Sequence, residues 1–422
     1  MSQVPPVVPT HHVRPRRGWL NDPNGMTRHG DRWHVFYQHN PEAAVHDLIH
    51  WGHASSPDLV RWTEHPVAFG PTPDGPDRFG CWSGVFVPGL DRPAVAYSGV
   101  VDETFASTVC LRWALDDELD RWSEPVVVAT TPSADRVSVM RDPFVFTHGG
   151  RRWALLGAGL DDSTPAVLLY SCDDILAWGY VGLWLTHADP VAAQHAPADI
   201  WECPQLVRTP GGTALVLSLQ HETILDRAVW LVGDLATDGD GRPTFVARTG
   251  GPLDAGDVLY APQVLQDEPE PLLLGWVRQD GIPADPADLE EQVADLVAGC
   301  LTFPRRLSVE GDELRSRLDP AVGTLMDPGA DRPLAAGDAA VVELSGLVRV
   351  PGGPGTWRLT GLTAELGGPV GDGVDVWIDG EVVEVYPRDG SAPSTWRDVG
   401  TRTWTVETDV AARIHALTPE PR

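Results

Sequence analysis

The run Trp33-His34-Val35-Phe36-Tyr37 is the first of five short apolar or aromatic-rich runs that recur along the chain. The other four runs are Ala94 to Tyr97, Trp153 to Leu156, Ala214 to Leu219 and Leu272 to Val277. Each run has the length and composition of a β-strand, and turn residues flank most of them. Their centres fall near residues 35, 95, 155, 215 and 274. This even spacing indicates an internal repeat of β-rich units.

A regular interval of about sixty residues is typical of a repeat architecture. Long amphipathic helical patterns are scarce, and the stretch from Pro286 to Val297 is the main exception. A β-rich unit of this size is large enough for a four-stranded propeller blade, and five such blades would close a ring. We therefore predict an all-β fold with a five-bladed β-propeller over residues 1–326. A β-sandwich is the alternative for strands at this spacing.

A second β-rich region follows near the C-terminus. The stretch from Asp327 to Asp338 is rich in Gly, Pro and Asp, which is typical of a linker. After it, Val374 to Glu384 predicts two alternating strands around an Asp379-Gly380 hairpin turn. We predict that residues 327–338 form a linker and that residues 339–422 form a small C-terminal β-sandwich.

The chain is strongly acidic. Its 422 residues include 60 acidic and 31 basic residues, which give a net charge of −29. A polyanion would be repelled by such a field, so we expect neither nucleic acid nor an anionic membrane as a partner. No stretch approaches the ~18 uninterrupted apolar residues that a membrane span needs.

The N-terminus and the cysteines indicate the cellular compartment in which we expect the protein. Met1 to Thr10 is polar and Pro-rich, so we expect no signal peptide. The cysteines are odd in number and thinly spread, so they form neither a disulfide framework nor a Cys-x-x-Cys metal site. We therefore expect a cytoplasmic protein. The five cysteines are Cys81, Cys110, Cys172, Cys203 and Cys300.

Acidic residues recur at the same interval as the strands. Asp22, Trp82, Asp142 and Glu202 are spaced by sixty residues, and Tyr260 lies near the equivalent point of the fifth unit. If these positions occupy the innermost strands of a ring, three carboxyl groups converge on its axis. Converging carboxyls provide an acid and a base in one site, and two suffice to hydrolyse a glycoside. A divalent metal site is the alternative, but no His lies in register with the acids, so we expect no metal.

The sequence around two of the three acids supports this interpretation. Pro, Asn and Gly directly follow Asp22 and predict a sharp turn, so the carboxylate would project from a rigid strand end. Arg141 directly precedes Asp142, and its guanidinium favours an ionised carboxylate and offers a fork to sugar hydroxyls.

Three strings together resemble glycoside hydrolase family 32, the invertases, inulinases and levanases. The string Trp19 to Gly25 is highly specific for that family, and Arg141-Asp142-Pro143 and Glu202-Cys203 follow in the expected order. The resemblance is strong over roughly residues 10 to 320 and weaker over the tail. Further matching stretches are Phe36 to Pro41, Trp51 to Ala54, Ser56 to Trp62, Trp82 to Gly84, Asp257 to Gln263, Gly275-Trp276 and Gly299 to Arg305.

The resemblance implies a five-bladed propeller followed by a β-sandwich. It implies a retaining hydrolase that releases β-D-fructose from sucrose or related terminal β-fructofuranosides through a fructosyl-enzyme, with no cofactor. By resemblance, Asp22 is the nucleophile, Glu202 the general acid/base and Asp142 the transition-state stabiliser. The positions that match the lining of the fructose subsite are Asn21, Gln38, Trp82, Ser83, Arg141, Tyr260 and Trp276.

The chain departs from the family pattern in three places. Val45-His46-Asp47 stands where the family often has Trp, so His46 either hydrogen-bonds to the sugar or is an ordinary loop residue. Trp82 stands where the family commonly has Phe. The tail is short for the family, which predicts a trimmed sandwich.

Several alternatives stay open from the sequence. The same scaffold and acids also serve fructosyltransferases and other propeller glycosidases. A non-catalytic carbohydrate-binding protein is the alternative from another class, although such a protein would usually have lost one of the three acids. The leaving group and the oligomeric state are not determined by the sequence, and we expect a small-molecule sugar as the partner.

Overall fold

The computed structural model describes residues 8–266, 270–280 and 296–418. Within these ranges the chain is nearly all β, with six sheets, one short α-helix, α1 (Pro190–His195), and a 3-10 helix (Pro320–Leu325). The prediction of a β-rich fold is therefore confirmed. The predicted helical stretch runs from Pro286 to Val297. Its residues 286–295 lie outside the described residues. No helix in the described ranges is long and apolar enough to cross a lipid bilayer.

The first two sheets are each built from four consecutive antiparallel strands, which we call a unit. The first unit comprises β1 (Gly18–His29), β2 (Arg32–Asn40), β3 (His50–Ser56) and β4 (Thr63–Glu64). The second unit comprises β5 (Gly80–Phe86), β6 (Ala94–Val100), β7 (Ser107–Trp113) and β8 (Val126–Thr130).

The third and fourth units follow the same pattern and join into one eight-stranded sheet, because Ala158 of one pairs with Trp201 of the other. The third unit comprises β9 (Val137–His148), β10 (Arg151–Leu160), β11 (Pro165–Ser171) and β12 (Gly179–Thr186). The fourth unit comprises β13 (Ile200–Thr209), β14 (Gly212–His221), β15 (Ile224–Thr237) and β16 (Pro243–Pro252).

The fifth unit contains two extra short strands and meets the first unit. Its strands are β17 (Leu259–Leu265), β18 (Leu272–Val277), β19 (Val297–Ala298), β20 (Cys300–Leu301), β21 (Arg305–Glu310) and β22 (Glu313–Leu318). The sheet order is β17-β18-β21-β22, β20 pairs with β18, and β19 pairs in parallel with β1. The middle of this unit is therefore hydrogen-bonded to the beginning of the first.

The five repeated runs of the sequence are the second strands of the five units, namely β2, β6, β10, β14 and β18. These strands are buried because their neighbours cover both faces; Leu155 and Leu215, for example, have no exposed surface. The first strands contact one another in cyclic order, β1 with β5, β5 with β9, β9 with β13, β13 with β17 and β17 with β1. Residues at equivalent positions on the first strands therefore face a common centre.

The C-terminal region forms two antiparallel sheets that share one buried apolar cluster. The six-stranded sheet has the order β23-β32-β25-β28-β29-β30, and the four-stranded sheet has the order β24-β31-β26-β27. Their strands are β23 (Met326–Leu334), β24 (Ala339–Glu343), β25 (Ser345–Pro351), β26 (Thr356–Thr360), β27 (Glu365–Pro369), β28 (Gly373–Asp379), β29 (Val382–Pro387), β30 (Ser394–Arg397), β31 (Thr403–Thr408) and β32 (Ala412–Leu417).

Two details of the C-terminal sheets concern the sequence predictions. The predicted hairpin is present between β28 and β29, but its turn is Gly380-Glu381 and not Asp379-Gly380, because Asp379 still pairs with Val382; Gly380 adopts a left-handed φ of +61°. The predicted linker, in contrast, is largely a strand, because β23 pairs with β32 at the edge of the six-stranded sheet. Most of its side chains are exposed, so a Gly- and Pro-rich composition is tolerated at this edge.

A buried polar network joins the C-terminal sheets to the rest of the chain. Arg305 donates to Asp254 at 2.7 Å and to Glu384 at 2.6 Å, and its side chain is fully buried. His12 lies between Asp379 and Glu384, with ring nitrogens 2.8 and 3.0 Å from their carboxylate oxygens. The N-terminal segment, the fifth unit and the C-terminal sheets are thus fixed to one another by this network.

Candidate active site

The first strands of the five units surround a pocket of about 1070 Å³. All the site residues predicted from the sequence line this pocket except Ser83, which lies directly behind it and contacts Asp22. The predicted residues in the lining are Asn21, Asp22, Gln38, His46, Trp82, Arg141, Asp142, Glu202, Tyr260 and Trp276.

A β-bulge occurs next to the pocket in every first strand. The regular pairing of the first strand with its second strand shifts after Leu20, Cys81, Arg141, Glu202 and Tyr260. A bulge bends its strand and re-aims the side chains beside it. Asp142 and Cys203 also have positive φ values, +57° and +47°. The repeated bulge thus orients one or two side chains of each unit toward the pocket.

Asp22 lies at the base of the pocket among hydrogen-bond donors. Its Oδ2 accepts from Ser83 Oγ at 2.5 Å and from Gln38 Nε2 at 3.0 Å, and its Oδ1 accepts from Asn21 Nδ2 at 3.0 Å. Burial raises the pKa of Asp22 to about 6, the Ser83 hydrogen bond opposes that rise, and the nearby charge of Glu202 adds to it. The carboxylate is therefore held in one orientation by neutral donors and is ionised at neutral pH.

Asp142 is buried beside Asp22, and Cys203 links the two. The backbone N–H of Cys203 donates to Asp142 Oδ2 at 3.0 Å. The Cys203 thiol lies 3.6 Å from that oxygen and 3.8 Å from Oδ2 of Asp22. Burial and the charge of Glu202 raise the pKa of Asp142, and Arg141 opposes the rise. These two carboxyls thus share one low-dielectric space.

Glu202 is the third acid of the pocket and is held from two sides. Tyr260 donates its hydroxyl to Oε2 at 2.6 Å. Arg141 Nε lies 3.0 Å from Oε1, and Nη2 of the same guanidinium donates to Gln220 Oε1 at 2.8 Å. The carboxyl is therefore fixed by a phenol and a cation, whereas Asp22 is fixed by neutral groups.

Aromatic rings form the wall of the pocket. The ring of His46 stands edge-on to Trp19 at 6.4 Å and to Trp82 at 5.8 Å, and Trp276 stands edge-on to Trp19 at 5.7 Å. Trp276 Nε1 and Gln38 Oε1 are buried polar atoms without a hydrogen-bond partner in the described structure. Burying such atoms unpaired is costly, so they are suited to hydrogen bonds with a bound molecule.

Sequence reasoning missed a group of pocket residues that come from other segments. Trp19, Asp257 and Val258 lie within the stretches that resemble the family, but the other residues belong to segments without a recognisable motif. The missed residues are Trp19, Phe105, Gln220, Thr223, Ile224, Leu225, Asp257, Val258, Arg278, Gln279, Asp280, Arg397 and Val399.

A cluster of side chains of the kinds that bind metal ions lies outside the pocket. His53 Nδ1 and His65 Nδ1 lie 3.0 and 2.9 Å from the same oxygen of Asp120, and the three ligand atoms are within 4.8 Å of one another. The other ring nitrogens contact His34 Nδ1 and Ser55 Oγ. All these polar atoms are satisfied as hydrogen bonds, so the cluster already has a structural role.

Comparison with known proteins assigns the sequence to a family. Residues 12–318 match the profile of the glycosyl hydrolases family 32 N-terminal domain. The chain belongs to glycosyl hydrolase family 32. Within it, the raffinose invertase of Escherichia coli is 30% identical over 315 residues, which cover 71% of this chain and 62% of that protein. A sucrose-6-phosphate hydrolase of Klebsiella pneumoniae is 33% identical over 286 residues, covering 65% and 59%.

Solved structures of family 32 share the fold of this chain. The β-fructofuranosidase of Bombyx mori superposes with a TM-score of 0.81 at 21% identity, covering 99% of this chain and 95% of that one. The sucrose-6-phosphate hydrolase of Lactobacillus gasseri gives 0.76 at 21% identity, covering 97% and 93%. This chain spans about three fifths of the length of the two curated bacterial relatives, 62% and 59%.

Proposed function

We propose that this protein is a retaining β-fructosidase that releases β-D-fructose from sucrose or a related terminal β-fructofuranoside. The observation that carries the proposal is the pairing of Asp22, held by neutral donors, with Glu202, held by Tyr260 and Arg141, across one pocket. Two carboxyls in one pocket are what a glycosidase needs, one as nucleophile and one as proton donor.

The first chemical step forms a covalent intermediate. Ionised Asp22 attacks the anomeric carbon of the fructosyl group, and the bond between that carbon and the leaving oxygen breaks. Protonated Glu202 gives its proton to that oxygen, so the leaving group departs as an alcohol. In the second step Glu202 takes a proton from water, the water oxygen attacks the same carbon, and Asp22 is released as a carboxylate.

Asp142 stabilises the positive charge that develops on the fructosyl ring in the transition state of each step. As the fructosyl ring becomes oxocarbenium-like, its hydroxyl groups become better hydrogen-bond donors. A buried carboxylate oriented by the Cys203 N–H accepts from them more strongly in the transition state than in the ground state. Arg141, Trp276 and Gln38 supply the further polar contacts of the fructose subsite, and Trp82 and His46 supply its wall.

We propose, for the architecture, that the five units are the blades of a β-propeller over residues up to 326. The cyclic contacts of the first strands and the parallel pairing of β1 with β19 support this arrangement. The C-terminal sheets would then be a β-sandwich domain that begins with β23. All five cysteines are free and buried, which supports a reducing compartment such as the cytoplasm.

The test is substitution of the two working carboxyls. Asp22→Asn should lose several orders of magnitude in sucrose turnover while its circular dichroism spectrum stays unchanged. Asp91→Asn, at an exposed turn, is the matched control and should keep full activity. Wild-type turnover in Asp22→Asn would contradict the assignment of the nucleophile.

The second part of the test concerns the proton donor. Glu202→Ala should harm a nitrophenyl fructoside less than sucrose, because a good leaving group needs little protonation. Equal losses on both substrates would count against Glu202 as the acid. Chromatography of the wild-type products at high sucrose distinguishes hydrolysis, which gives monosaccharides, from transfer, which gives trisaccharides.

A further inference from the structure

Two of the described residues that line the pocket come from the C-terminal sheets and not from the five units. Arg397 is the last residue of strand β30, and Val399 lies in the turn that follows it. Directly opposite residues of antiparallel strands face the same side of a sheet, so Arg397 shares a face with Val382. Val382 is buried against Val277 and Cys300 of the fifth unit. The Arg397 side chain is therefore directed from the C-terminal sheets toward the units that form the pocket.

One edge of the Arg397 guanidinium is held by a buried carboxylate. Its Nε and Nη2 both donate to Oε1 of Glu381, the first of them at 2.8 Å. The Glu381 side chain has no exposed surface, and its Oε2 accepts from the backbone N–H of Gly400 at 3.1 Å. This pair fixes both the guanidinium and the turn after β30, so Arg397 is held in one orientation at the edge of the pocket.

The opposite edge of the same guanidinium has no partner. Nη1 of Arg397 is buried and makes no hydrogen bond in the described structure, and the side chain as a whole is only 4% exposed. A guanidinium carries five N–H donors in one plane, and two of them are on Nη1. Leaving charged donors buried without an acceptor is costly. Arg278 of the same lining differs, because its Nη1 and Nη2 both donate to backbone carbonyls.

A second unpartnered donor lies in the neighbouring part of the lining. Trp276 Nε1 is buried without a hydrogen-bond partner, as described above. Trp276 directly precedes Val277, which packs against Val382 opposite Arg397. Both groups are donors, so neither can satisfy the other. An oxygen-rich ligand that enters the pocket can supply acceptors to both.

We propose that Arg397 is a substrate-binding residue whose Nη1 donates a hydrogen bond to an oxygen of the bound fructoside, so that the C-terminal sheets complete the pocket formed by the five units. The inference rests on the proposed function and adds to it a binding residue from a separate part of the chain. Because Glu381 already compensates the charge of Arg397, a neutral sugar oxygen suffices as the acceptor. A contact made equally in the ground state and the transition state acts mainly on KM.

The experiment compares Arg397→Lys with the wild-type protein. Lysine keeps a cation next to Glu381 but lacks the planar fork, so the donor on the far edge is lost. The loss of a hydrogen bond from a charged donor should raise KM for sucrose about ten- to a hundredfold, with smaller changes in kcat and in the melting temperature. Arg413→Lys is the control, because this arginine of strand β32 lies outside the described lining; it should keep the wild-type KM.

A second variant guards against damage to the fold. Arg397→Met/Glu381→Gln removes both charges of the buried pair, so neither is left unpaired, and KM should rise as in Arg397→Lys. A nitrophenyl fructoside, which lacks the second sugar, identifies the acceptor. A raised KM on both substrates places it on the fructosyl group, and a raised KM on sucrose alone places it on the leaving sugar. An unchanged KM on both substrates in either folded variant overturns the inference.

Binding to the Asp22→Asn variant separates this inference from the proposed function. Isothermal titration with sucrose should show a Kd that rises about ten- to a hundredfold when Arg397→Lys is added. If the wild-type protein cleaves no fructoside but this change in Kd is seen, the proposed function is wrong and the inference stands. Cleavage with unchanged KM and Kd overturns the inference alone, and a protein that neither binds nor cleaves sucrose overturns both.

Discussion

The hydroxyl of Tyr260 lies 2.6 Å from Oε2 of Glu202 and 3.0 Å from the Leu219 carbonyl oxygen, so its single O–H is held between two acceptors and the phenol supports this carboxyl. A hydrogen bond to a charged group is worth about 1.5–3 kcal/mol. Tyr260→Phe should therefore lower kcat/KM about ten- to a hundredfold, with the melting temperature nearly unchanged. Steady-state kinetics on sucrose checks this, and Tyr180→Phe is the control outside the pocket. Full activity in Tyr260→Phe would show that Glu202 needs no such support.

The pKa of Asp22 gives the acidic limb of the activity profile. Burial raises this pKa to about 6, so the carboxylate takes up a proton as the pH falls through that value and can no longer attack. We expect kcat/KM to fall below about pH 6, because this ratio reports on the free enzyme. Ser83→Ala removes a hydrogen bond that lowers the pKa, so the acidic limb should move to higher pH. Ser138→Ala, outside the pocket, should leave the limb in place; an unmoved limb in Ser83→Ala would contradict the assignment.

The buried His12 predicts a loss of stability at alkaline pH. Hydrogen bonds to Asp379 and Glu384 overcome desolvation and raise the pKa of His12 from 6.5 to about 9. The stabilisation is complete below pH 6.5, where the unfolded chain also binds the proton, and it is lost as the pH rises through about 9. Thermal unfolding followed between pH 6 and 10 should show this decline.

The same cluster can be tested by substitution. His12→Gln removes the cation between Asp379 and Glu384 and leaves the buried Asp379 without its ionic partner, which should cost about 3–5 kcal/mol of unfolding free energy at neutral pH. His148→Gln, on a half-exposed strand end, is the matched control and should cost little. A variant as stable as the wild type, with the same alkaline decline, would show that His12 is not responsible.

Gly157 allows two strands of the pocket to approach each other. It pairs with Arg141, and a Cβ added there would lie 2.4 Å from the Trp201 carbonyl and 3.1 Å from Cα of Glu202. Gly157→Ala must push β13 outward and displace Glu202, at a cost of about 1–3 kcal/mol. We expect kcat to fall even where the variant is fully folded, because Glu202 is displaced. Gly149→Ala meets no neighbour within 4 Å, although its φ of +59° carries strain, and it should retain kcat.

The repeated strands and acids could be predicted from the sequence. The pocket residues contributed by distant segments could not. The second strands were found because continuous burial requires apolar runs at a fixed interval. The positions of Asp22, Asp142 and Glu202 followed from the same interval, because equivalent positions of first strands face one centre. Ser83 was found only through the family resemblance.

The missed features have physical reasons. Arg278 and Arg397 reach the pocket through tertiary packing that leaves no local pattern, and the β1–β19 pairing depends on closure between residues far apart in the chain. The predicted linker is largely a strand because edge pairing to β32 tolerates Gly and Pro at exposed positions. Composition alone cannot distinguish such an edge strand from a loop.

The contact between the segment Thr10 to His12 and Asp379 joins residues 369 positions apart. During synthesis the N-terminal segment leaves the ribosome long before Asp379 exists, so it must wait without its partner while the five units form. Strand β1 likewise lacks its parallel neighbour until Val297 has been translated. The nascent chain therefore exposes the edge of β1 until Val297 is translated, and the His12 ring has no carboxylate partner until Asp379 is translated.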